Sequence, residues 1–281
     1  MATVAPPRLS RRALLARGAM LACGGAHVAT ARASGAARAQ PVDPGVESGR
    51  AYRILVFSRT TGFRHDSIPD GIAAIRAAAA AHDVDVDQTE DPTVFADTRL
   101  AAYRAIVLLS TTGDFLAPDQ QAAFQRYIEA GGGCVGIHAA ADAEYDWPWY
   151  GGLVGAYFDQ HPDIQMAQVR VEDPTDPSTA DLPDPWVRTD EWYSFRSNPR
   201  DAGAHVLLRL DERSYAGGSM GGDHPIAWYH DYDGGRAWYT AGGHTAESYA
   251  DPLFMGHVWG GIEYAAGRPA TYQSVQRGLN S

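Results

Sequence analysis

The amino-acid sequence predicts a doubly wound α/β domain, in which helices cover both faces of a parallel sheet. Two observations carry this prediction. Short apolar runs of branched residues alternate with longer amphipathic segments up to about residue 145, and a polar loop follows most of these runs. Alternation of this kind favours parallel strands, because each crossover helix returns the chain to the same edge of the sheet.

The first half of the chain supplies four strands. The apolar run at residues 53–58 ends in polar turn residues, which is typical of a buried strand. A short second strand is expected at residues 84–87, a third at residues 105–109 and a fourth at residues 134–137. All four are short enough to be buried strands rather than helices.

Two amphipathic segments predict the crossover helices. The first runs from Pro69 to His82, with Ile72 and Ile75 on one face, and proline suits the first turn of a helix. The second covers residues 118–130 and ends at a run of three glycines.

Beyond residue 145 the sequence becomes aromatic and rich in glycine and proline, which predicts further strands before a closing helix. Asp233-Gly234 is a hairpin signal between the last two strands. The predicted strands are Gln165–Glu172, Trp186–Phe195, His205–Leu210, Ile226–Tyr232 and Gly235–Thr240, and the predicted helix is Ala246–Ala265.

The amino terminus resembles a twin-arginine export signal. Residues 1–39 hold six arginines and no acid, and Arg11-Arg12 precedes an apolar run and a cleavage motif at residues 37–39. Cys23 offers an alternative lipoprotein site, and no run is long enough for a stable membrane span. We expect a periplasmic or extracellular protein, divided into an export signal (1–39), a linker (40–51), the α/β domain (52–268) and a tail (269–281).

Charge and composition exclude several classes of function. The formal net charge is −11, and removal of the leader leaves 17 arginines against 34 acids, a surface that repels nucleic acid and anionic membranes. Every basic residue is arginine. Schiff-base, pyridoxal phosphate and P-loop chemistries all need a lysine, so they are excluded.

Two segments have the residue spacing of catalytic motifs but not the secondary structure that those motifs require. Gly131-x-Gly133-x-x-Gly136 fits the dinucleotide fingerprint but precedes a strand, whereas the true motif follows one. Gly217-x-Ser219-x-Gly221 fits a nucleophile elbow, but a proline soon follows where a helix should begin. We interpret the first as a strand entry and the second as a loop.

Several segments resemble the ThuA-like family of trehalose utilisation. The resemblance runs from about residue 52 to residue 265 and implies a role in sugar catabolism on the class I glutamine amidotransferase-like fold, a flavodoxin-like three-layer sandwich, here with extra strands in its second half. The matching segments are Gly62-Phe63-Arg64-His65, Gly136-Ile137-His138-Ala139-Ala140, Thr189-Asp190-Glu191-Trp192-Tyr193, His224-Pro225-Ile226-Ala227-Trp228 and Gly242-Gly243-His244.

In the amidotransferase superfamily a cysteine nucleophile stands at the end of the strand that follows a glycine run. Here His138 takes that position, and Cys134 lies inside the strand, where a thiol is usually inert packing. The sequence therefore does not predict glutaminase activity.

Polar loops after the first, third and fourth strands should meet at one edge of the sheet, where ligands of such folds bind. Imidazoles and carboxylates placed together there suit proton transfer at a sugar carbon or hydroxyl. The predicted catalytic residues are His138, His65, Glu191 and Asp142, and the predicted substrate-binding residues are Arg64, Asp190, Tyr193, Trp192, Thr112, His224 and His244.

The sequence leaves the cofactor and the exact role open. It assigns no metal ligand, but a divalent metal is a candidate cofactor, since His138-x-x-x-Asp142 resembles a ligand pair on one helical turn. The expected partner is a small saccharide. Aromatic residues suit a sugar-binding rim, although each ring alone is more typical of the core: Trp147, Trp149, Tyr150, Trp192, Tyr193, Trp228 and Tyr229. The alternative function is a non-catalytic carbohydrate-binding or accessory protein.

Overall fold

The structure is a computed structural model that describes residues 52–267. The export signal with Cys23, the linker and the tail lie outside the described residues, so the expectations for them stay predictions. Within residues 52–267, no helix has the length and apolar character that a membrane crossing requires.

A mixed sheet of nine strands forms the centre of the domain, and a two-stranded sheet lies beside it. The strands are β1 (Arg53–Phe57), β2 (Asp85–Thr89), β3 (Ala105–Leu109), β4 (Gly133–Ile137), β5 (Phe158–Gln160), β6 (Gln165–Val171), β7 (Trp186–Asp190), β8 (Ser194–Phe195), β9 (His205–Leu210), β10 (Pro225–Tyr232) and β11 (Gly235–Thr240). The helices are α1 (Ile68–Ala81), α2 (Asp97–Leu100), α3 (Pro118–Glu129), α4 (Pro148–Val154), α5 (Ala246–Ala250) and α6 (Pro252–Ala265).

The strand order in the large sheet is β2-β1-β3-β4-β11-β10-β9-β6-β7. The strands from β2 to β11 pair in parallel, and those from β11 to β7 pair in antiparallel fashion. Three antiparallel steps separate β10 from β7, so β7 runs in the same direction as β11. The carboxyl end of β7 therefore lies at the same edge of the sheet as the ends of β1, β3, β4 and β11.

Helices cover both faces of the parallel part, which explains why β3 and β4 are buried along their whole length. Trp238 in β11 points towards α6, where its ring lies so close to Gly261 that a Cβ atom would clash with it. The neighbouring Tyr239 points to the other face and stacks on Trp228, whose Nε1 donates to the carbonyl of Val154 in α4. The doubly wound α/β class is thus confirmed.

Two predicted elements are broken in the structure. The strand predicted at Trp186–Phe195 is two strands, β7 and β8, separated by Glu191-Trp192-Tyr193. The closing helix predicted at Ala246–Ala265 is interrupted at Asp251, whose side chain accepts a hydrogen bond from Leu253 N and caps α6. The sequence prediction also missed α4 and the small β5–β8 sheet.

The two motifs that matched only in letters lie where the sequence analysis expected. Gly131 and Gly133 lead into β4 rather than out of a strand. Gly217 and Gly221 both have positive φ angles in the loop before β10, and β10 rather than a helix follows them.

Candidate functional site

The loops at the carboxyl ends of the parallel strands meet as predicted. The loop after β1 pairs with the loop after β3 through Thr60 and Thr112, and Thr61 N donates to Thr112 O at 2.9 Å. Gly113 in turn pairs with Ala143, which follows β4. Main-chain bonds therefore tie three loops into one surface.

Four side chains from four different loops form the centre of this surface. His65 follows β1, His138 follows β4, Glu191 follows β7 and His244 follows β11. One ligand atom from each of them lies within 4.8 Å of the others. The ring centroids of His65 and His138 are 4.7 Å apart, so the two histidines that the sequence analysis ranked first face the same space. We call these four residues the histidine–glutamate cluster.

His138 is held by the backbone of the next strand. It begins a 3₁₀ turn directly after β4 and has a φ angle of +50°, a conformation that non-glycine residues seldom adopt. Its Nδ1 lies 2.7 Å from Ala241 O, and a carbonyl can only accept, so Nδ1 carries a proton. In the neutral ring, Nε2 therefore presents an unprotonated lone pair to the cluster, while the ring of Tyr193 packs against the imidazole at 4.2 Å.

Glu191 joins three histidines. Its Oε2 is 3.0 Å from His244 Nδ1 and 3.5 Å from His138 Nε2, and its Oε1 is 3.1 Å from His161 Nδ1. Burial raises the pKa of Glu191, but its contacts with the His138 and His244 imidazoles outweigh burial and leave the pKa well below its ordinary value. Burial lowers the pKa of His244, and the bond to Glu191 and its charge reverse that effect and raise it. The cluster therefore holds an ionised carboxylate at neutral pH.

His65 is the least satisfied member of the cluster. It is 3% exposed, and its Nδ1 finds no hydrogen-bond partner among residues 52–267. Burial, followed by the charges of His138 and His244, lowers its pKa to about 3, so its imidazole is neutral at physiological pH. A neutral, buried imidazole with an unpartnered nitrogen, packed against two other imidazoles, is unusual in a protein core.

Asp190 supports the cluster from behind. Its carboxylate accepts hydrogen bonds from Gly243 N, His244 N and Ser248 Oγ, which fix the loop after β11. Arg188 pairs with the same carboxylate at 3.0 Å, and its guanidinium lies between the rings of Trp186 and Phe254. All of these bonds are internal, so Asp190 positions the main chain of His244.

Several predicted site residues lie outside the cluster. Asp142 accepts a hydrogen bond from Tyr145 OH, and the half-exposed Arg64 forms an ion pair with Glu90. Thr112 is buried and donates to Phe63 O. The proposed ligand pair of His138 and Asp142 is likewise not brought together in the cluster.

Two further predicted binding residues are structural in this fold. Trp192 is fully buried, and its Nε1 donates to Gln165 O. His224 is also fully buried, with Nε2 bonded to Tyr193 O and Nδ1 within 2.7 Å of Glu212 Oε1. Neither side chain reaches the surface from which a ligand would enter.

Most of the predicted aromatic rim is core as well. Tyr150 and Trp228 are fully buried, and Trp149 donates to Asp233 in the hairpin before β11, at the opposite edge of the sheet. Only Tyr193 touches the cluster.

The sequence analysis missed two residues beside the cluster. His161, whose Nδ1 bonds to Pro162 O and lies 3.1 Å from Glu191 Oε1, follows β5 in a Gln-His-Pro loop that carries no recognisable pattern. Phe63 is 65% exposed, and its ring lies 4.9 Å from the ring of His65. The signal for Phe63 was present, because a large apolar residue stands alone in a polar loop at a strand end.

Cys134 lies inside β4 and is buried, as the sequence predicted. Burial raises the pKa of its thiol, so it is held as an unreactive thiol rather than a nucleophilic thiolate. His138 directly follows this strand. A ligand set for a cofactor does exist in the described part of the chain, since three imidazoles and one carboxylate of the cluster could hold a metal ion.

Two solved ThuA-like proteins share this architecture. The protein from Bacteroides uniformis ATCC 8492 is 24% identical and has a TM-score of 0.66, over 79% of this chain and 94% of its own. The protein from Parabacteroides merdae ATCC 43184 is 20% identical and also has a TM-score of 0.66, over 80% of this chain and 93% of its own. No curated protein matches the chain. The model of the ThuA family, described as trehalose utilisation, matches residues 53–265, and the chain therefore belongs to the ThuA family.

Proposed function

We propose that this chain is an enzyme of carbohydrate catabolism that acts on a glycoside, a disaccharide or an oxidised keto sugar by moving a proton at the histidine–glutamate cluster. The observation that carries the proposal is the meeting of His65, His138, Glu191 and His244 from four separate loops, with ligand atoms within 4.8 Å. Structural packing does not require such a meeting, since each of these side chains is desolvated at some cost in stability.

The chemistry of the cluster suits a sugar oxygen. A hydroxyl or carbonyl placed against it would meet the Nε2 lone pair of His138, the ionised Glu191 and the proton on His244. Groups of this kind accept and return protons near neutral pH, and their burial strengthens each contact with the bound oxygen. Glu191 rather than Asp142 is the carboxylate partner, because only Glu191 lies in the cluster.

The surroundings offer a way to hold the sugar ring. Phe63 stands exposed beside His65, and a sugar can place its apolar C–H face on such a ring. His161 and His244 are the more exposed histidines at the site, with side chains 40% and 19% exposed. A saccharide would therefore approach between Phe63 and these two imidazoles. The family description, trehalose utilisation, supports a disaccharide or a product of its oxidation.

The test is turnover of trehalose and of 3-keto-glycosides by the wild-type chain and by His138→Ala and Glu191→Gln. Loss of a proton-transfer group should reduce kcat/KM by about 100-fold or more. His205→Ala is the matched control, because His205 is a half-exposed histidine whose only described ionic partner is Asp173. Equal turnover in all four proteins would remove the assignment. Saccharide binding by calorimetry without turnover would support the non-catalytic alternative instead.

Export through the twin-arginine route is part of the proposal. It rests on the paired arginines, the apolar run and the cleavage motif within residues 1–39. Mass spectrometry of the periplasmic protein should find a new amino terminus near residue 40. An intact leader on a cytoplasmic protein would contradict export and leave the site unaffected.

A further inference from the structure

We propose that His65, His138, Glu191 and His244 are the ligands of one divalent first-row transition-metal ion, of the zinc class. The ion would lie at the centre to which the proposed function assigns the sugar oxygen, and in that respect the inference rests on the proposed function. Metal binding is nevertheless measured without any saccharide.

Three of the four ligand atoms are spaced as a metal shell requires. Zinc–nitrogen and zinc–oxygen bonds of about 2.0–2.1 Å place neighbouring ligand atoms about 3.3–3.4 Å apart in a tetrahedron. The three distances among His138 Nε2, His244 Nδ1 and Glu191 Oε2 are 3.1, 3.0 and 3.5 Å. An ion at their common centre would be within bonding reach of all three atoms after small adjustments.

The lone pairs in the cluster outnumber the protons. His138 donates its Nδ1 proton to Ala241 O, so its Nε2 can only accept in the neutral ring. Glu191 Oε2 can only accept as well, yet it lies 3.5 Å from that nitrogen. A single proton on His244 Nδ1 can serve one of the two acceptors. A cation at the centre would satisfy both of them together.

His65 supplies an independent observation. It is almost completely buried, its ring faces those of His138 and His244, and its Nδ1 has no hydrogen-bond partner in the described part of the chain. A buried nitrogen without a partner loses its hydration for no gain. A role as the fourth ligand accounts for its retention in this position.

Contacts outside the shell resemble those of known metal sites. Ligating histidines usually donate their second ring nitrogen to a carbonyl or a carboxylate, as His138 does to Ala241 O. Asp190 fixes the main chain of His244, and Tyr193 packs against the His138 ring. The ligands are thus positioned before any ion binds.

The donor set selects the class of ion. Three imidazoles and one carboxylate suit zinc, cobalt, iron or manganese, whereas magnesium and calcium prefer shells made of oxygen. An ion with this shell supplies Lewis acidity, which polarises a bound hydroxyl or carbonyl oxygen. The chain would hold it at the carboxyl edge of the sheet, beside Phe63 and His161.

The test begins with the full-length chain stripped by a chelator and dialysed. Added Zn²⁺ should bind at about one equivalent per chain, Co²⁺ should give a visible ligand-field spectrum, and excess Mg²⁺ or Ca²⁺ should displace neither. Glu191→Gln and His244→Ala should lose more than about 100-fold in Zn²⁺ affinity, beyond the 10–100-fold typical of supporting residues. His205→Ala should bind as the wild type does.

Circular dichroism shows whether each variant is folded, and thermal melts measure metal binding in the folded variants through the change in Tm. Zn²⁺ should raise the Tm of the wild type and of His205→Ala but not of folded Glu191→Gln. A folded, stripped wild type that binds none of Zn²⁺, Co²⁺ and Mn²⁺ would overturn the inference, as would equal affinity in the Glu191 and His244 variants. Saccharide turnover by a stripped wild type that binds none of these ions would overturn the inference while sustaining the proposed function. Metal binding without saccharide turnover would support the metal site and contradict the proposed function.

Discussion

One core histidine, His257, and the two most buried histidines of the cluster, His65 and His138, are buried to a similar degree but are bonded in opposite ways. His257 in α6 bonds through Nδ1 to Ser178 O at 2.9 Å and through Nε2 to Thr240 Oγ1 at 3.2 Å. In the histidine–glutamate cluster, His65 leaves a nitrogen without a partner and His138 points a lone pair at other acceptors. Exposure alone would not separate the two groups.

The histidines differ in the hydrogen-bond partners of their ring nitrogens. Both ring nitrogens of His257 have hydrogen-bond partners within the protein, so this imidazole is a fully bonded polar residue of the core. In the cluster only some of the polar atoms have hydrogen-bond partners. The remaining lone pairs lie around one point between the side chains. A buried imidazole with unused capacity is therefore a better sign of a site than a buried imidazole as such.

The largest expected difference in the free energy of unfolding is between variants of two adjacent residues, Asp190 and Glu191. Asp190→Asn should lower the free energy of unfolding by about 3–5 kcal/mol, because it leaves the buried Arg188 without its charge partner. Glu191→Gln should lower it by less, about 1–2 kcal/mol in metal-free protein, because the amide keeps an oxygen beside His161 Nδ1 but loses the favourable charge contacts with His138 and His244. Urea denaturation of chelator-treated proteins measures both.

Asp85→Asn is the control for the loss of charge alone. Asp85 pairs with Arg53 at the surface, with both side chains about half exposed or more, so its removal should cost no more than about 1 kcal/mol. If Glu191→Gln were as destabilising as Asp190→Asn, the distinction between supporting and functional carboxylates would fail.

The next difference compares the histidines directly. His257→Leu should lower the free energy of unfolding by about 2–3 kcal/mol, because it leaves Ser178 O and Thr240 Oγ1 unpaired in the core. His65→Leu, in metal-free protein, should change it by no more than about 0.5 kcal/mol or even raise it, since the substitution removes an unpartnered nitrogen. A loss at His65 as large as that at His257 would show that His65 is bonded in a way the structure does not record.

Much of this architecture could be predicted from local sequence. The strand at residues 105–109 matches β3 residue for residue, and the helix that begins at Pro118 differs from α3 by one residue at its end. Short apolar runs and proline at a first helical turn are local signals, and they do not depend on distant contacts. The convergence of the loops followed from the parallel topology alone.

The rest depended on contacts between distant parts of the chain. Residues 186–195 have the composition of one strand, but the antiparallel half of the sheet ends the strand at Asp190 and turns Glu191 towards the cluster. Asp142 follows the same strand as His138, but its side chain bonds Tyr145 and lies outside the cluster. Trp192 reads as a sugar-binding ring and is fully buried. None of these placements leaves a trace in spacing or composition.

The smallest expected effect is a pH dependence of stability that distinguishes His257 from the histidines of the cluster. Burial lowers the pKa of folded His257 to about 3, whereas its ordinary value is 6.5. Between these values the unfolded chain binds a proton that the folded protein does not, so stability falls as pH decreases below about 6.5, by about 1.4 kcal/mol per pH unit. At pH 5 the loss from this residue is about 2 kcal/mol.

His257→Leu lacks this loss, while the cluster titrates alike in the wild type and in the variant. The stability gap between the two proteins, about 2–3 kcal/mol at pH 7.5, should therefore narrow to about 1 kcal/mol or less at pH 5. Chelator-treated proteins unfolded in urea across this range give the gap directly. A gap that stays constant would mean that His257 accepts a proton in the folded protein, and burial would then not hold it neutral.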